Sequence, residues 1–403
     1  MLRLPIDQAR PGMVLAQPVY NPRKPQDALL RAGYELDEEF IKRLKELFVP
    51  FIWVKFPNLD FLDSILDPEL VHQKQSVYGT LKEQFNEAQE INVGKIDYKV
   101  YIQAMAKLFM RLLEHSGRNA FFVGELQSKA SDIFRHGVSV AFLSLILGIR
   151  LEGYLMKERA RSRIAGNDLT PLGVGALLHD IGKMDFPEEM RSFRLTAQDM
   201  GSPEWQAHTE VGLDLVHNGL DPTAAQVVLN HHQHFDGSGF PCRKSSIGCG
   251  PLDRALTENQ IHIFCRIVTL ADRFDNFRFL PNGQQVPTVM ALKRLKNPGY
   301  IKWFDPVVYQ AFLEAVPPFP PGEQITLDGD ELCVVKEVPR ETPYRPVVCP
   351  IDLNDAIING ASKQIPEDAL EKNSDEETED IKLALQPERK IVKVGDYTLP
   401  QPM

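Results

Sequence analysis

A long central stretch of helical periodicity limits the fold of this chain more than any other feature. From residue 98 to about residue 315, apolar residues recur at the spacing of one helix face. The segment Asp97–His115 shows the pattern clearly, with four apolar residues on one face: Tyr101, Met105, Leu108 and Leu112. We therefore predict a mainly α protein with a central all-helical bundle over residues 98–315.

Several helices in this stretch have recognisable starts. A side chain with an oxygen precedes a proline at three places, and a proline is well tolerated at the first position of a helix. The three predicted starts are Thr170-Pro171, Ser202-Pro203 and Asp221-Pro222.

The two ends of the chain have a different character. Residues 1–65 predict a small α/β module, with strands at MVLAQPVY and FIWVKF and a helix at DEEFIKRLKELF between them. A polar stretch over residues 66–97 is interpreted as a linker. Residues 316–403 predict a small β-rich module in which QITLDGDELCVVKEV forms a hairpin that turns at Asp328-Gly329. The acidic run DALEKNSDEETEDIK in the same module is expected to be a solvated loop.

Charge and cysteine content exclude some classes of protein. The net charge of −10 argues against a general nucleic-acid binder, which needs basic surface to neutralise phosphates. The first residues show no secretory pattern, and the longest apolar run, Val138–Ile149, is about half of a membrane span and indicates a buried helix. The five cysteines are scattered without a C-x-x-C pair and are expected to be free thiols. These features predict a cytoplasmic protein with no membrane segment.

Histidine and aspartate occur at the boundaries of five apolar helical segments. His179-Asp180 and His231-His232 each end such a segment, and the other three segments carry His136, His208 and Asp272. A lone histidine on an apolar helix is usually a hydrogen-bonded core residue, but five converging helices predict a metal centre. Imidazole and carboxylate together suit iron, manganese, nickel or zinc, and the two oxygens of Asp180 can bridge two ions.

Four motifs built on these residues occur in a specific order. HDIGK at 179–183, HTEVG at 208–212, HHQHFDGSGFP at 231–241 and LADRFD at 270–275 resemble the HD-GYP family, a branch of the HD-domain phosphohydrolases. The resemblance covers roughly residues 120–280, and the N-terminal module is similar to one often found ahead of such domains. It implies metal ligation by seven residues: His136, His179, Asp180, His208, His231, His232 and Asp272. Lys183 would contact phosphate and act in catalysis together with Asp180.

The same resemblance implies an activity and a cofactor. We expect two or three divalent metal ions, with iron or manganese first and nickel or zinc as alternatives. Two neighbouring ions can share one water and lower its pKa, which gives a bridging hydroxide near neutral pH. The implied reaction is hydrolysis of a cyclic dinucleotide, cyclic di-GMP above all, to the linear dinucleotide or to GMP. Protein signalling partners and a homodimer stay open.

Residues around the predicted ligands are expected to have supporting roles. Asp132 lies four residues before His136 on the same helix face, where it either binds a third ion, orients His136 or faces solvent. Gly237, Gly239 and Phe240 are assigned to the substrate side, and the glycines also shape the turn that follows the paired histidines. Four further residues are expected to be structural or at the surface: His72, His115, His217 and His262. His234 is interpreted as accessory, and Asp236 is expected to accept hydrogen bonds from backbone amides rather than to bind metal.

The sequence also departs from the family pattern. Phe240 replaces the tyrosine of the family name, so a phenolic hydroxyl is missing, and Gln233 stands where glutamate is usual. No predicted metal ligand is lost, because the changes fall on the substrate side. They leave a second hypothesis open, a degenerate HD-GYP domain that binds metal and nucleotide and signals without turnover. A third is an HD-type hydrolase of another phosphate ester.

Overall fold

The computed structural model describes residues 1–21, 24–49, 51–62, 68–91, 98–114, 133–159, 168–187, 201–242, 255–280, 284–357 and 380–403. The chain divides into two compact units. The mixed unit is built mainly from Met1–Pro68 and Pro317–Met403. The helical unit comprises Glu69–Arg118 and Lys129–Val316.

The N-terminal part of the mixed unit is a small α/β arrangement, as the sequence predicts. Its elements are β1 (Leu2–Pro5), β2 (Val19–Asn21), β3 (Lys24–Leu30), α1 (Glu38–Glu46) and β4 (Phe51–Val54). β1 pairs antiparallel with β4, and β2 pairs antiparallel with β3. Asp37 fixes the start of α1, because its carboxylate accepts a hydrogen bond from the Phe40 amide at 2.7 Å.

The C-terminal part of the mixed unit is a six-stranded antiparallel sheet, which confirms the predicted β-rich module. Its strands are β5 (Gln324–Leu327), β6 (Leu332–Glu337), β7 (Val347–Pro350), β8 (Ile381–Lys382), β9 (Ile391–Val394) and β10 (Tyr397–Thr398). They lie in the order β10-β9-β5-β6-β7-β8. The predicted hairpin is β5-β6, whose turn places Gly329 at a φ of +88°. Most of the acidic run lies outside the described residues.

One hydrophobic core joins the two ends of the chain. Leu2, Leu4 and Ile52 belong to the same buried cluster as Val334 and Cys349. The Gln324 side chain donates a hydrogen bond to the carbonyl of Arg3 at 2.7 Å. The two modules predicted at the ends of the chain are parts of one unit, because each covers apolar surface of the other. Their predicted boundaries at residues 65 and 316 stay predictions.

The helical unit contains twelve α-helices within its described residues. They are α2 (Pro68–Ile91), α3 (Tyr98–Glu114), α4 (Ile133–Arg150), α5 (Glu152–Glu158), α6 (Thr170–Leu178), α7 (Pro203–Gln206), α8 (His208–Val216), α9 (Pro222–Asn230), α10 (Ile263–Phe277), α11 (Thr288–Leu295), α12 (Pro298–Ile301) and α13 (Pro306–Ala315). A short 3-10 helix covers Ile181–Asp185. α4 lies at the centre and packs against both α6 and α10.

The predicted capping role is confirmed at two of the three helix starts. The Ser202 hydroxyl accepts from the Trp205 amide at 3.2 Å, and the Asp221 carboxylate accepts from the Thr223 amide at 2.8 Å. The third helix also begins at the predicted place, but the capping role of Thr170 is wrong, because Thr170 is already the first helical residue and its amide donates to Asp168 at 2.8 Å. The predicted apolar face of α3 is confirmed by its four buried residues: Tyr101, Met105, Leu108 and Leu112.

The stretch interpreted as a linker is largely helix. α2 covers most of residues 66–97, and the side chains of Leu70, Val77, Tyr78 and Leu81 are buried. Val77, Tyr78 and Leu81 lie seven, eight and eleven positions after Leu70, which places all four on one face of a helix. Polar residues fill the other faces and conceal this pattern in the sequence.

α4 has the length and composition of a membrane-crossing helix, the only such helix within the described parts of the chain. In the structure, 67% of its apolar window is buried inside the protein. This matches the predicted buried helix at Val138–Ile149. The apolar character of α4 is explained by its central position in the helical unit.

The four described cysteines are free, as predicted, and only Cys242 is exposed. Burial raises the pKa values of the Cys265 and Cys333 thiols to about 12. In the native protein at pH 8, we expect iodoacetamide to modify Cys242 and to leave Cys265 and Cys333 unmodified until guanidinium unfolds the chain. Peptide mass spectrometry over time measures this, and native labelling of Cys265 at the rate of Cys242 would contradict it.

Candidate metal centre

The structure brings all seven described predicted ligands into one buried cluster. His136 comes from α4, His179 is the C-cap of α6, and Asp180 follows it. His208 is the first residue of α8, His231 is the C-cap of α9 with His232 after it, and Asp272 lies on α10. Each of these seven residues is at most 7% exposed. The helices predicted from the sequence therefore converge at one place.

Backbone carbonyls orient three of the imidazoles in the same way. His179 Nδ1 lies 2.7 Å from the Ala176 carbonyl oxygen, His208 Nδ1 lies 2.6 Å from that of Trp205, and His231 Nδ1 lies 2.9 Å from that of Val228. Carbonyls in the last turn of a helix lack an intrahelical donor and are available for such contacts. A carbonyl only accepts, so Nδ1 carries the hydrogen and Nε2 is left as the metal-binding atom.

Asp180 lies between two groups of imidazoles. Its Oδ2 faces His136 and His179, whose Nε2 atoms lie 3.8 Å and 3.4 Å away. Its Oδ1 faces His208 and His231, whose Nε2 atoms lie 3.5 Å and 3.6 Å away. The carboxylate is thus shared by two potential metal-binding groups, as the sequence argument for a bridging residue requires.

Two sets of donor atoms around Asp180 are close enough to hold metal ions. Among the described residues, one set is His136, His179 and Asp180, and the other is Asp180, His208, His231 and His232. Asp272 adjoins the first set, with Oδ1 3.0 Å from His136 Nε2 and 3.8 Å from His179 Nε2. Donor atoms that each lie about 2.1 Å from one ion are separated by about 3.0–3.5 Å, so these distances fit metal coordination.

Unpartnered buried atoms in the cluster also fit a cation site. His179 Nε2, Asp180 Oδ1 and His232 Nε2 are buried without a hydrogen-bond partner. His208 Nε2 and His231 Nε2 lie 3.3 Å apart although both rings donate through Nδ1, so two nitrogen lone pairs face each other. A buried arrangement of this kind is unfavourable unless a cation lies between the acceptors. The donor set therefore fits divalent metal ions.

The charge states of these groups also suit metal binding. Burial lowers the pKa values of His208, His231 and His232, which keeps the three imidazoles neutral at neutral pH. Burial would raise the pKa of Asp180, but the ammonium of Lys183 and the neighbouring His179 outweigh it and hold this pKa well below its usual value. Neutral imidazoles and ionised carboxylates are the forms that bind metal.

His136 differs from these imidazoles in its electrostatics. Burial alone would lower its pKa, but hydrogen bonds with Asp272 and Asp275 raise that pKa to about 9. A divalent ion at this position would therefore compete with a proton for His136 Nε2.

Lys183 contacts the metal-facing carboxylate directly. Its Nζ donates to Asp180 Oδ2 at 2.7 Å, and it lies 4.7 Å from the centre of the Trp205 ring. The side chain is 9% exposed, so its ammonium is held within the centre rather than at the surface. The phosphate contact predicted for Lys183 stays a prediction.

The turn after the paired histidines is held by its glycines. A Cβ on Gly239 would lie 2.3 Å from the His232 carbonyl oxygen, and Gly237 has a φ of +79°, a region that favours glycine. The predicted backbone role of Asp236 is confirmed, since it accepts from the Ser238 amide at 3.0 Å. The Phe240 ring stacks on His232 with 4.7 Å between ring centres. The substrate contacts assigned to the two glycines and Phe240 stay predictions.

The remaining predicted residues lie away from the two sets of donor atoms or outside the described parts of the chain. His262 caps α10 by accepting from the Phe264 amide at 3.2 Å, and His217 is exposed, as expected for structural and surface residues. His234 stacks on Trp303 with 4.0 Å between ring centres. Asp132, the candidate ligand for a third ion, and His115 lie outside the described residues, and the side chain of His72 is not described.

Sequence reasoning missed residues that hold the ligands. Asp275 lies 2.8 Å from His136 Nδ1, and Arg135 pairs with Asp275 at 2.8 Å. Asn276 donates to Asp272 Oδ1 at 2.7 Å. Asp275 ends the LADRFD motif one helical turn after Asp272, which is the signal that could have found it.

Comparison with known proteins gives one family and several relatives. The HD domain family matches residues 133–276. The chain is similar to the cyclic di-GMP phosphodiesterase PA4108 of Pseudomonas aeruginosa, with 26% identity over 212 residues, which covers 52% of this chain and 46% of the relative. A cyclic di-GMP phosphodiesterase of Thermotoga maritima is 28% identical over 172 residues, which is 41% of each protein.

A further relative is named for a different cyclic dinucleotide. The 3'3'-cGAMP-specific phosphodiesterase 2 of Vibrio cholerae is 32% identical over 106 residues, which covers 24% of this chain and 17% of the relative. The matches to the first two relatives span about half of their length. The family match contains every described ligand of the metal centre. Residues 133–276 of the helical unit are therefore similar to HD domains, and the relatives that match this part of the chain are named as cyclic dinucleotide phosphodiesterases.

Proposed function

We propose that this chain is a metal-dependent phosphodiesterase that hydrolyses a cyclic dinucleotide, with cyclic di-GMP as the first substrate to test. The observation that carries the proposal is the position of Asp180, whose two oxygens face separate groups of imidazoles at 3.4–3.8 Å. The activities for which the relatives are named support this choice of substrate class.

The chain's own residues would hold the ions and the charge of the phosphate. His136, His179 and Asp272 would bind one ion, and His208, His231 and His232 the other, with Asp180 between them. Divalent ions bound there supply a water of lowered pKa and offset charge on the phosphate. Hydrolysis forms one P–O bond from water and breaks one ester P–O bond, so it needs no protein nucleophile.

Lys183 would add positive charge beside the two sets of donor atoms that share Asp180. Its ammonium lies 2.7 Å from Asp180 Oδ2 and is almost completely buried, so its charge is weakly screened by solvent. We expect it to stabilise the phosphorane-like charge that builds up on the non-bridging oxygens. Iron or manganese remains our choice of metal, and signalling partners and a homodimer remain predictions.

Phe240 motivates the second candidate, a receptor that binds without turnover. Its ring stacks on His232 and has no hydroxyl to donate to a substrate. If a phenolic donor were required for the reaction, the metal centre would persist while turnover was lost.

The deciding experiment is a hydrolysis assay with defined metals. The protein is purified, loaded with Mn²⁺ or, without oxygen, Fe²⁺, and incubated with cyclic di-GMP or 3'3'-cGAMP, and products are resolved by ion exchange. We expect a linear dinucleotide or mononucleotide product, its loss after removal of metal by a chelator, and recovery on adding metal back. Substitution of Lys183 by methionine is expected to lower kcat roughly 10²-fold while metal content is kept.

Each other outcome of this assay decides against the proposal in a definite way. Tight binding of cyclic di-GMP without turnover under every metal would favour the receptor. No binding of either dinucleotide, together with hydrolysis of a generic phosphodiester such as bis-p-nitrophenyl phosphate, would favour another phosphate ester as substrate.

A further inference from the structure

His136 is oriented differently from three other imidazoles of the metal centre. Backbone carbonyls hold His179, His208 and His231, whereas a carboxylate of another helix holds His136. Asp275 on α10 places Oδ2 2.8 Å from His136 Nδ1. This contact joins α10 to α4 beside the first set of donor atoms.

A buried arginine fixes the carboxylate of Asp275. Arg135 donates to it twice, from one terminal nitrogen to Oδ2 at 2.8 Å and from the other to Oδ1 at 3.3 Å. Asp275 is fully buried, Arg135 is 7% exposed, and the guanidinium lies 4.3 Å from the centre of the Phe279 ring. Such a two-point contact fixes the plane of the carboxylate as well as its position.

We propose that Asp275, held by Arg135, is a positioning residue that prepares His136 for metal binding. An ionised carboxylate only accepts hydrogen bonds, so Nδ1 of His136 must carry the hydrogen. Nε2 is then the ring nitrogen that faces the donor group, 3.0 Å from Asp272 Oδ1 and 3.8 Å from Asp180 Oδ2. Carboxylate partners of this kind fix the orientation of a ligating histidine and increase its basicity.

The inference uses the metal centre of the proposed function but not its substrate. The readout of the inference is metal binding. The inference can therefore fail even if the protein hydrolyses cyclic di-GMP, and it can hold even if the protein does not hydrolyse cyclic di-GMP. The competing explanation is a purely structural ion pair between α4 and α10. The test therefore needs a control that breaks a similar pair away from the ligands.

The test replaces Asp275 by asparagine and compares it with Asp305→Asn. Asp305 is 1% exposed and pairs with Arg266 at 2.6 Å in the same helical unit, so the control removes a comparable buried charge. The asparagine amide can donate to Nδ1 and favour the opposite tautomer, whose Nε2 carries a hydrogen and cannot bind metal. Both variants are titrated with Mn²⁺ by calorimetry, and histidine tautomers are assigned from side-chain ¹⁵N chemical shifts.

We expect Asp275→Asn to bind one of two Mn²⁺ ions roughly 10–100-fold more weakly and to shift one histidine to the other tautomer. Asp305→Asn should bind both ions like the parent protein, even if it melts at a lower temperature. Unchanged Mn²⁺ binding by Asp275→Asn, or equal weakening in both variants, would overturn the proposal. Should Asp275→Asn not fold, Arg135→Gln takes its place, with several-fold weaker binding of one ion expected and unchanged binding as the contrary result.

Discussion

Replacing Asp180 by asparagine is expected to abolish metal binding at one of the two donor groups, to weaken it at the other, and to lower phosphodiesterase activity by roughly 10³-fold. The carboxylate offers an oxygen to each group, whereas the amide offers one oxygen and two N–H donors. Whichever way the amide turns, its N–H atoms face the Nε2 atoms of one group. In the parent protein these Nε2 atoms lie 3.4–3.8 Å from the carboxylate oxygens of Asp180. The substitution also removes the charge that pairs with Lys183.

Metal analysis by mass spectrometry, together with the hydrolysis assay, measures this prediction. Asp214→Asn is the matched control, because it makes the same chemical change at an exposed position of α8. The control should keep the metal content and kcat of the parent protein. An Asp180→Asn protein that retains both ions at full content would show that this carboxylate does not bridge them.

The second large effect is expected from Gly182→Ala, a change of one methyl group. A Cβ at this position would lie 2.0 Å from the His208 carbonyl oxygen and 2.6 Å from the Gly212 amide nitrogen. Both atoms are backbone, so neither can move away without shifting α8, which begins at His208. We expect a loss of about 3 kcal/mol or more in the free energy of unfolding and a reduced metal content.

Chemical denaturation measures the loss, and Gly153→Ala is its control. Gly153 lies in α5, and nothing lies within 4 Å of a Cβ at that position. Alanine there is expected to increase the free energy of unfolding by up to about 1 kcal/mol, because glycine is less favourable in a helix. A Gly182→Ala protein as stable as the parent would disprove the close contact between the 3-10 helix and α8.

The cluster of candidate ligands could be predicted because each candidate is marked by its own neighbours in the sequence. His179-Asp180 and His231-His232 directly follow apolar segments, and a helix end is a local property of the chain. Because five apolar helical segments each carry a histidine or aspartate of this kind, we expected these side chains to converge. Asp275 was overlooked although it ends the same motif as Asp272, because its contacts with Arg135 and His136 depend on the packing of α4 against α10.

Some parts of the fold could not be predicted from the sequence, also because the local pattern of residues does not show them. The short strands β1 and β8 contain four and two residues, too few for alternation to be recognised. α2 was masked by polar residues on its exposed faces. The common core of the two chain ends depends on contacts between residues more than 250 positions apart, such as Gln324 with Arg3, which periodicity does not reveal.

That common core has a consequence for the order of events on the ribosome. Leu2, Leu4 and Ile52 leave the exit tunnel before the helical unit, but Val334 and Cys349, which lie in the same apolar cluster, emerge only after the helical unit has been synthesised. The nascent N-terminal segment must therefore wait with incompletely covered apolar surface while the intervening helices are translated. Folding of the helical unit can begin before the mixed unit is complete, because the helical unit does not need the residues after 316 for its own core.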